Sequence, residues 1–251
     1  MLLLLKLLLV PTLIWLISAA AKKWGPGVAG ALAGFPVITG SILLILVLEQ
    51  GPAFTRQAAL ASALGTSANI AFGIAYGWAA LRWRWPACLA AGLAGYAAAV
   101  ALGHAAAPPP WLGAGFGLAF LTVASRLFPP PPPQAEAAPP RAAGPAPRML
   151  VGALLVLAIT SVSQRLGPAL SGLLAVFPVL GSVMAVFTHT SSGNAAAIRL
   201  LRGMVRGFYS FVAFCLCLAW ALAALPTVAA FAAALLLAVL VQLAVMWRGR
   251  H

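Results

Sequence analysis

Gly25-Pro26-Gly27-Val28-Ala29-Gly30-Ala31-Leu32-Ala33-Gly34-Phe35-Pro36 returns in the second half of the chain as Gly167-Pro168-Ala169-Leu170-Ser171-Gly172-Leu173-Leu174-Ala175-Val176-Phe177-Pro178, with seven of the twelve positions identical. The offset holds without a gap beyond the motif. It pairs Lys6 with Arg148, Lys23 with Arg165, Gly51 with Gly193, Gly65 with Gly207, Phe72 with Phe214 and Trp78 with Trp220. Helices rich in Ala, Leu and Gly resemble one another by composition, but composition does not keep register from Lys6 to Trp78. Self-similarity at one fixed spacing marks a duplicated unit.

Composition sets the solvent of that unit. The chain is 63% hydrophobic and 7% charged, with a mean hydropathy of +1.05, whereas a soluble surface carries roughly 25–35% charged residues. A helix crosses about 30 Å of hydrocarbon with about 20 residues. Nine runs of that kind are expected, over 3–21, 27–48, 58–81, 86–104, 110–128, 149–164, 168–188, 203–224 and 227–247. A β-barrel would need alternating polarity in segments of about ten residues, and these runs are continuously apolar. The opening run, Leu2 to Ile17 followed by Ser18-Ala19-Ala20-Ala21, has the look of a secretory signal. It lacks a basic region before it and aligns with the internal segment 148–164, so it is expected as the first span.

Positive charge then gives orientation. With nine spans, Lys22, Lys23, Arg82, Arg84, Arg126, Arg141, Arg148, Arg199, Arg202, Arg206, Arg248 and Arg250 fall on one side, and only Lys6, Arg56 and Arg165 on the other. Lys and Arg collect in cytoplasmic loops. The N-terminus is therefore expected outside and the C-terminus inside. Each repeat holds four spans, and the fifth, without a counterpart in the second half, turns the second repeat over. The expected fold is an all-α polytopic membrane protein: two inverted four-helix repeats (1–105 and 148–251), a connecting span (106–128) and a cytoplasmic Pro/Ala linker (129–147) favouring extended polyproline II.

Inverted repeats are common in secondary transporters, whose sites lie at paired Gly/Pro-interrupted segments. Here these are the Phe35-Pro36 and Phe177-Pro178 junctions, since a helix-internal Pro removes a donor and clashes with the carbonyl four residues earlier. Thr39, Gly40 and Ser41 follow the first break, Gly181 and Ser182 the second. These nine residues, with Asn69 in the middle of span three, form the expected solute-binding set. Packing is the competing reading of the junctions, and the favoured one for the stripe Gly25, Gly30 and Gly34, because small residues on one face let membrane helices approach. Thr66 and Ser67 near Asn69, and Tyr209 and Ser210 in span eight, are further polar candidates.

Glu49 is the only acidic residue outside the linker. It and His189, both at span ends, are the candidates for coupling or gating, against the plainer reading of solvated helix ends. Arg199, Arg202 and Arg206 share one helix face. They are expected to anchor on anionic lipid head groups, at about 1 kcal/mol per charge, or to attract an anionic solute. The net charge of +13 is mostly topogenic, and no nucleic-acid-binding module is visible. Cys88, Cys215 and Cys217 sit in apolar runs and suit neither a disulfide nor zinc. No phosphate loop, zinc-protease or catalytic-triad motif is present. With two acidic residues in the chain, a hydrolase or a carboxylate-bound metal is not expected, nor is a cofactor.

The pattern from Lys23-Trp24-Gly25-Pro26 through Gly30, Leu32 and Phe35-Pro36 to Leu48-Glu49-Gln50-Gly51-Pro52 resembles the four-span GlpM-like bacterial inner-membrane proteins, here as two fused copies. That resemblance implies a bacterial inner membrane and an association with exopolysaccharide production. The second half departs from it, with Ser191 where Glu is expected. Three classes follow in order: a secondary transporter with a solute-accessible cavity between the Pro breaks, an accessory or scaffold protein packed tightly there, and a membrane enzyme, for which no cluster of catalytic groups is visible.

Overall fold

The computed structural model describes residues 2–106, 109–132, 144–163 and 177–248, and these form helices and short turns with no strand among them. The helices are α1 (Leu2–Trp24), α2 (Pro26–Ala33), α3 (Val37–Ala79), α4 (Trp85–Ala106), α5 (Pro110–Leu127), α6 (Pro145–Ser163), α7 (Val179–Ala221) and α8 (Thr227–Arg248). Among the described residues four helical runs are long and apolar enough to cross a membrane: Pro26–Ala79, Trp85–Ala106, Val179–Ala221 and Thr227–Trp247. Shorter apolar helices occupy Trp111–Leu127 and Pro145–Ala158. This is the build of an integral membrane protein.

α3 and α7 are each 43 residues long. A straight helix of that length would measure about 65 Å, over twice the hydrocarbon thickness. Each is broken at one residue, Gly51 (φ 82°, ψ 172°) and Gly193 (φ 83°, ψ 173°). Side-chain-bearing residues all but never adopt this backbone region. Glycine can therefore stop and restart a helix without a loop, and Pro52, the first residue after Gly51, needs no helical N–H there. Gly25 (φ 84°, ψ 169°) with Pro26 does the same between α1 and α2.

The expected count of nine separate spans is not what the described residues give. The part of run 27–48 from Val37 onward joins 58–81 through Gly51 into one kinked helix, although the polar stretch from Glu49 to Gln57 suggests a loop between. The described part of 168–188 joins 203–224 through Gly193 in the same way. The motif copy from Gly167 to Val176, Arg165, Arg250 and linker residues 133–143 lie outside the described residues.

Several structural landmarks recur at the offset of the sequence repeat. These are the starts, breaks and ends of α3 and α7, and the starts and ends of α4 and α8. The turns between them match too: Leu81 N–H bonds the Trp78 carbonyl as Ala223 N–H bonds that of Trp220, and Trp83 bonds Ala79 as Leu225 bonds Ala221.

The main core gathers α3, α4, α5, α7 and α8 around buried residues including Phe72, Tyr76, Leu121, Phe214 and Leu218. A smaller one joins α1, α2 and α6 to α7 through Val10, Ile14, Val156 and Met184. α5 is tied to α3 by Trp78 Nε1–H donating to the Leu127 carbonyl at 2.8 Å, and to α7 by the Tyr209 hydroxyl donating to the Leu121 carbonyl at 3.3 Å. Large apolar side chains such as Trp15, Leu154, Val228 and Leu240 point outward, as a lipid-facing surface requires.

Candidate functional site at the helix breaks

The chemistry begins where Pro36 interrupts the hydrogen-bond ladder. Phe35 N–H bonds the Leu32 carbonyl at 3.2 Å, one residue short of its helical acceptor, and so releases the Ala31 carbonyl. A carbonyl stripped of its partner inside a membrane protein needs another donor. Gln242 of α8 supplies it, Nε2 to Ala31 O at 3.2 Å, and the single Ser210 hydroxyl proton of α7 is shared between Gln242 Oε1 at 2.8 Å and the Gly207 carbonyl at 2.7 Å. Both Gln242 and Ser210 are buried. Gln242 is not among the candidates expected from sequence, although a lone carboxamide in an otherwise apolar run is a legible signal.

Around the Phe-Pro junctions, Pro36 and Pro178 are buried while Phe35 and Phe177 are half-buried. A Cβ built on Gly40 would lie 3.4 Å from the ring of Phe214, and one on Gly181 3.8 Å from that of Phe72. Phe72 and Phe214 are 1% and 3% exposed, so each half presses one buried phenyl ring against the residues after the other half's break. Tyr96 of α4 meets Phe177 edge-on at 6.0 Å. Rings thus stand against the residues that follow both junctions. Ser41 and Ser182 turn their hydroxyls onto the Val37 and Pro178 carbonyls of their own helices, at 3.0 and 2.8 Å. Thr39 is half-buried near the start of α3.

Asn69 stands apart from this group, its amide on the Gly65 carbonyl of its own helix at 3.4 Å. Its neighbour Ser67 is buried with no partner for its hydroxyl. Glu49 is exposed beside the Gly51 break. His189 lies near the Gly193 break, its Nδ1 3.1 Å from the Tyr76 hydroxyl of α3. The two coupling candidates thus lie at different breaks.

Of the glycine stripe, Gly30 and Gly34 pack backbone against backbone, whereas a Cβ on Gly25 would meet nothing within 4 Å. A methyl group on Gly30 of α2, or on Gly34 just after it, would overlap main-chain atoms of α7 at Leu200, Met204 and Gly207, and one on Gly203 or Gly207 would overlap the carbonyls of Gly27 and Ala31. Where α2 meets α7 and α8, a cleft of about 540 Å³ is lined by residues including Trp24, Val28, Leu32, Arg206, Val245 and Met246. Of the three stripe arginines only Arg206 lies in it; Arg199 and Arg202 are half-buried.

Two further bonds join the halves. Arg56 Nε–H, five residues after the first break, donates to the Ala219 carbonyl at 2.9 Å, and the Asn194 amide, directly after the second break, donates to the Ala80 carbonyl at 3.0 Å. The start of each post-break segment thus meets the end of the other, and the two segments run antiparallel. Among the described residues no three His, Cys, Asp or Glu side chains gather as a metal site.

Comparison with protein-family profiles, with curated proteins and with solved structures found no match in any of the three.

Proposed function

We propose that this protein is a secondary transporter or exporter of a small solute, working by alternating access between two inverted four-helix repeats joined by α5, in a bacterial inner membrane with its N-terminus outside and its C-terminus cytoplasmic. The observation that carries the reading is the antiparallel crossing of two helices that match in length and break, held by the reciprocal bonds of Arg56 to Ala219 and Asn194 to Ala80. A two-fold axis in the membrane plane sets corresponding helices antiparallel, whereas an axis along the membrane normal would set them parallel. The breaks after Phe35-Pro36 and Phe177-Pro178 are where such proteins place their solute. In this reading the rings of Phe72 and Phe214 close the path in the present conformation. Arg199, Arg202 and Arg206 hold anionic lipid, and the protein performs no covalent chemistry.

The second reading, an accessory or scaffold protein of the inner membrane serving envelope polysaccharide production as the GlpM-like resemblance implies, is favoured by the same two rings, which leave the described junctions packed. Cysteine accessibility decides between them. With Cys88, Cys215 and Cys217 replaced, single cysteines at Lys23 and Arg165 should label from inside and outside respectively. Cysteines at Thr39 and Ser182 should react with small thiol reagents from the two faces. If Thr39 and Ser182 stay unreactive from both faces while Lys23 and Arg165 behave as expected, the accessory reading replaces transport.

A further inference from the structure

At the offset of the repeat, Arg148 and Ser191 answer to Lys6 and Glu49. In the first half these two positions carry opposite charges. In the second half the cation is kept and a hydroxyl stands where the carboxylate was.

The surroundings of Arg148 make this exchange consequential. The side chain is half-buried at the start of α6. Its Nη2 donates to Ser191 Oγ at 3.2 Å, its guanidinium carbon lies 5.7 Å from the centre of the Phe187 ring, and its Nε is shielded from solvent without any hydrogen-bond partner. The Ser191 hydroxyl donates to the Phe187 carbonyl at 2.6 Å, and the exposed Ser192 hydroxyl lies 3.3 Å from Ser191 Oγ. The one acidic residue among those described is Glu49, exposed beside the other break. A guanidinium drawn partly out of water toward a single neutral oxygen is poorly compensated. Its planar fork of donors matches the paired oxygens of a carboxylate or phosphate, in charge-assisted bonds about twice as strong as neutral ones.

We propose that Arg148, with the hydroxyls of Ser191 and Ser192, binds an oxyanion beside the break in α7. The anion takes the place that Glu49 fills by sequence in the first half, and it comes either as a free solute or as the head group of an anionic lipid. As an assignment of solute class the proposal rests on the transport reading; the binding itself does not.

The test uses the purified full chain in detergent with zwitterionic lipid. Melting temperature is followed with inorganic phosphate against chloride at equal ionic strength, and retention of phosphatidylglycerol against phosphatidylcholine is followed by native mass spectrometry. A phosphate-dependent rise identifies a free oxyanion, and selective retention of phosphatidylglycerol identifies a head group; each supports the site if Arg148→Gln weakens it about tenfold or more. Ser191→Glu is the decisive variant even if Arg148→Gln fails to fold. It places a carboxylate opposite the guanidinium, so it should raise the melting temperature without ligand, abolish the response to phosphate and lower phosphatidylglycerol retention to the share that Arg199, Arg202 and Arg206 hold. Absence of both responses in the unaltered protein, or a response unchanged in Ser191→Glu, overturns the proposal. No solute flux enters these readouts, so their failure is separate from a failure of the transport reading.

Discussion

At the residue scale, the glycines of α2 and those after the Pro breaks have different jobs, and one methyl group separates them. Gly30 faces main-chain atoms of Leu200 and Met204, which cannot step aside, whereas Gly40 faces a ring of Phe214 at ordinary contact distance. Gly30→Ala should therefore lower stability by about 1–3 kcal/mol, as overpacking does, and Gly40→Ala should stay within about 0.5 kcal/mol; melting temperatures in detergent compare the two directly. Equal losses would show that the Phe214 ring is as immovable as backbone. Gln242 makes a second residue-scale case. Gln242→Leu leaves the Ala31 carbonyl without its donor and should cost about 1 kcal/mol, the usual scale for a bond between membrane helices. Ser210→Ala should cost less, because Gln242 keeps its bond to Ala31. A double-mutant cycle with no coupling between the two would mean that the Ser210–Gln242 bond at 2.8 Å contributes nothing.

At the scale of the element, the break in each long helix rests on a backbone conformation rather than on space. A Cβ on Gly51 or Gly193 would meet nothing within 4 Å, so Gly51→Ala and Gly193→Ala test conformation alone. Each should cost about 1–3 kcal/mol, by the same melting assay, and the two losses should be similar because φ and ψ agree within a degree or so. A loss at only one would mean that the two breaks carry unequal strain. These breaks also explain what the sequence could and could not convey. The apolar runs and the Phe-Pro junctions were readable because hydropathy and Pro chemistry are local. The joining of 27–48 to 58–81 was not, because Glu49, Gln50, Arg56 and Gln57 have the polarity of a loop, and polarity cannot tell a loop from a helix that turns at one glycine. Gly51-Pro52 carried a hint of the turn; Gly193-Asn194, without a proline, carried less. The pairing of His189 with Tyr76, and of Arg148 with Ser191, depends on helices far apart in sequence meeting in space, and no local pattern encodes that.

For the molecule as a whole, the arrangement of the halves turns on one geometric relation that periodicity cannot supply. The duplicated motif and the uneven positive charge argued from sequence for inversion, but both concern topology, and neither says which helices touch. The contacts of Arg56 with Ala219 and of Asn194 with Ala80 are reciprocal, and they lie at opposite ends of the crossing between the post-break segments of α3 and α7. This yields a prediction that needs no substrate. In a background without native cysteines, the pairs Arg56→Cys with Ala219→Cys and Ala80→Cys with Asn194→Cys should both cross-link within one chain through a short bifunctional thiol reagent. The control pair, Arg56→Cys with Ile198→Cys, joins corresponding positions of the two repeats, which would adjoin if the two segments ran parallel, and it should stay unlinked. Linking of the control pair in place of the other two would make the crossing parallel and remove the geometric support for alternating access, while leaving the duplicated sequence untouched. If the halves rock against each other during transport, the two expected cross-links should also act differently from the oxyanion site: each should freeze the exchange of accessibility at Thr39 and Ser182 while leaving phosphate or phosphatidylglycerol binding at Arg148 intact, because Arg148 and Ser191 lie on the second half together.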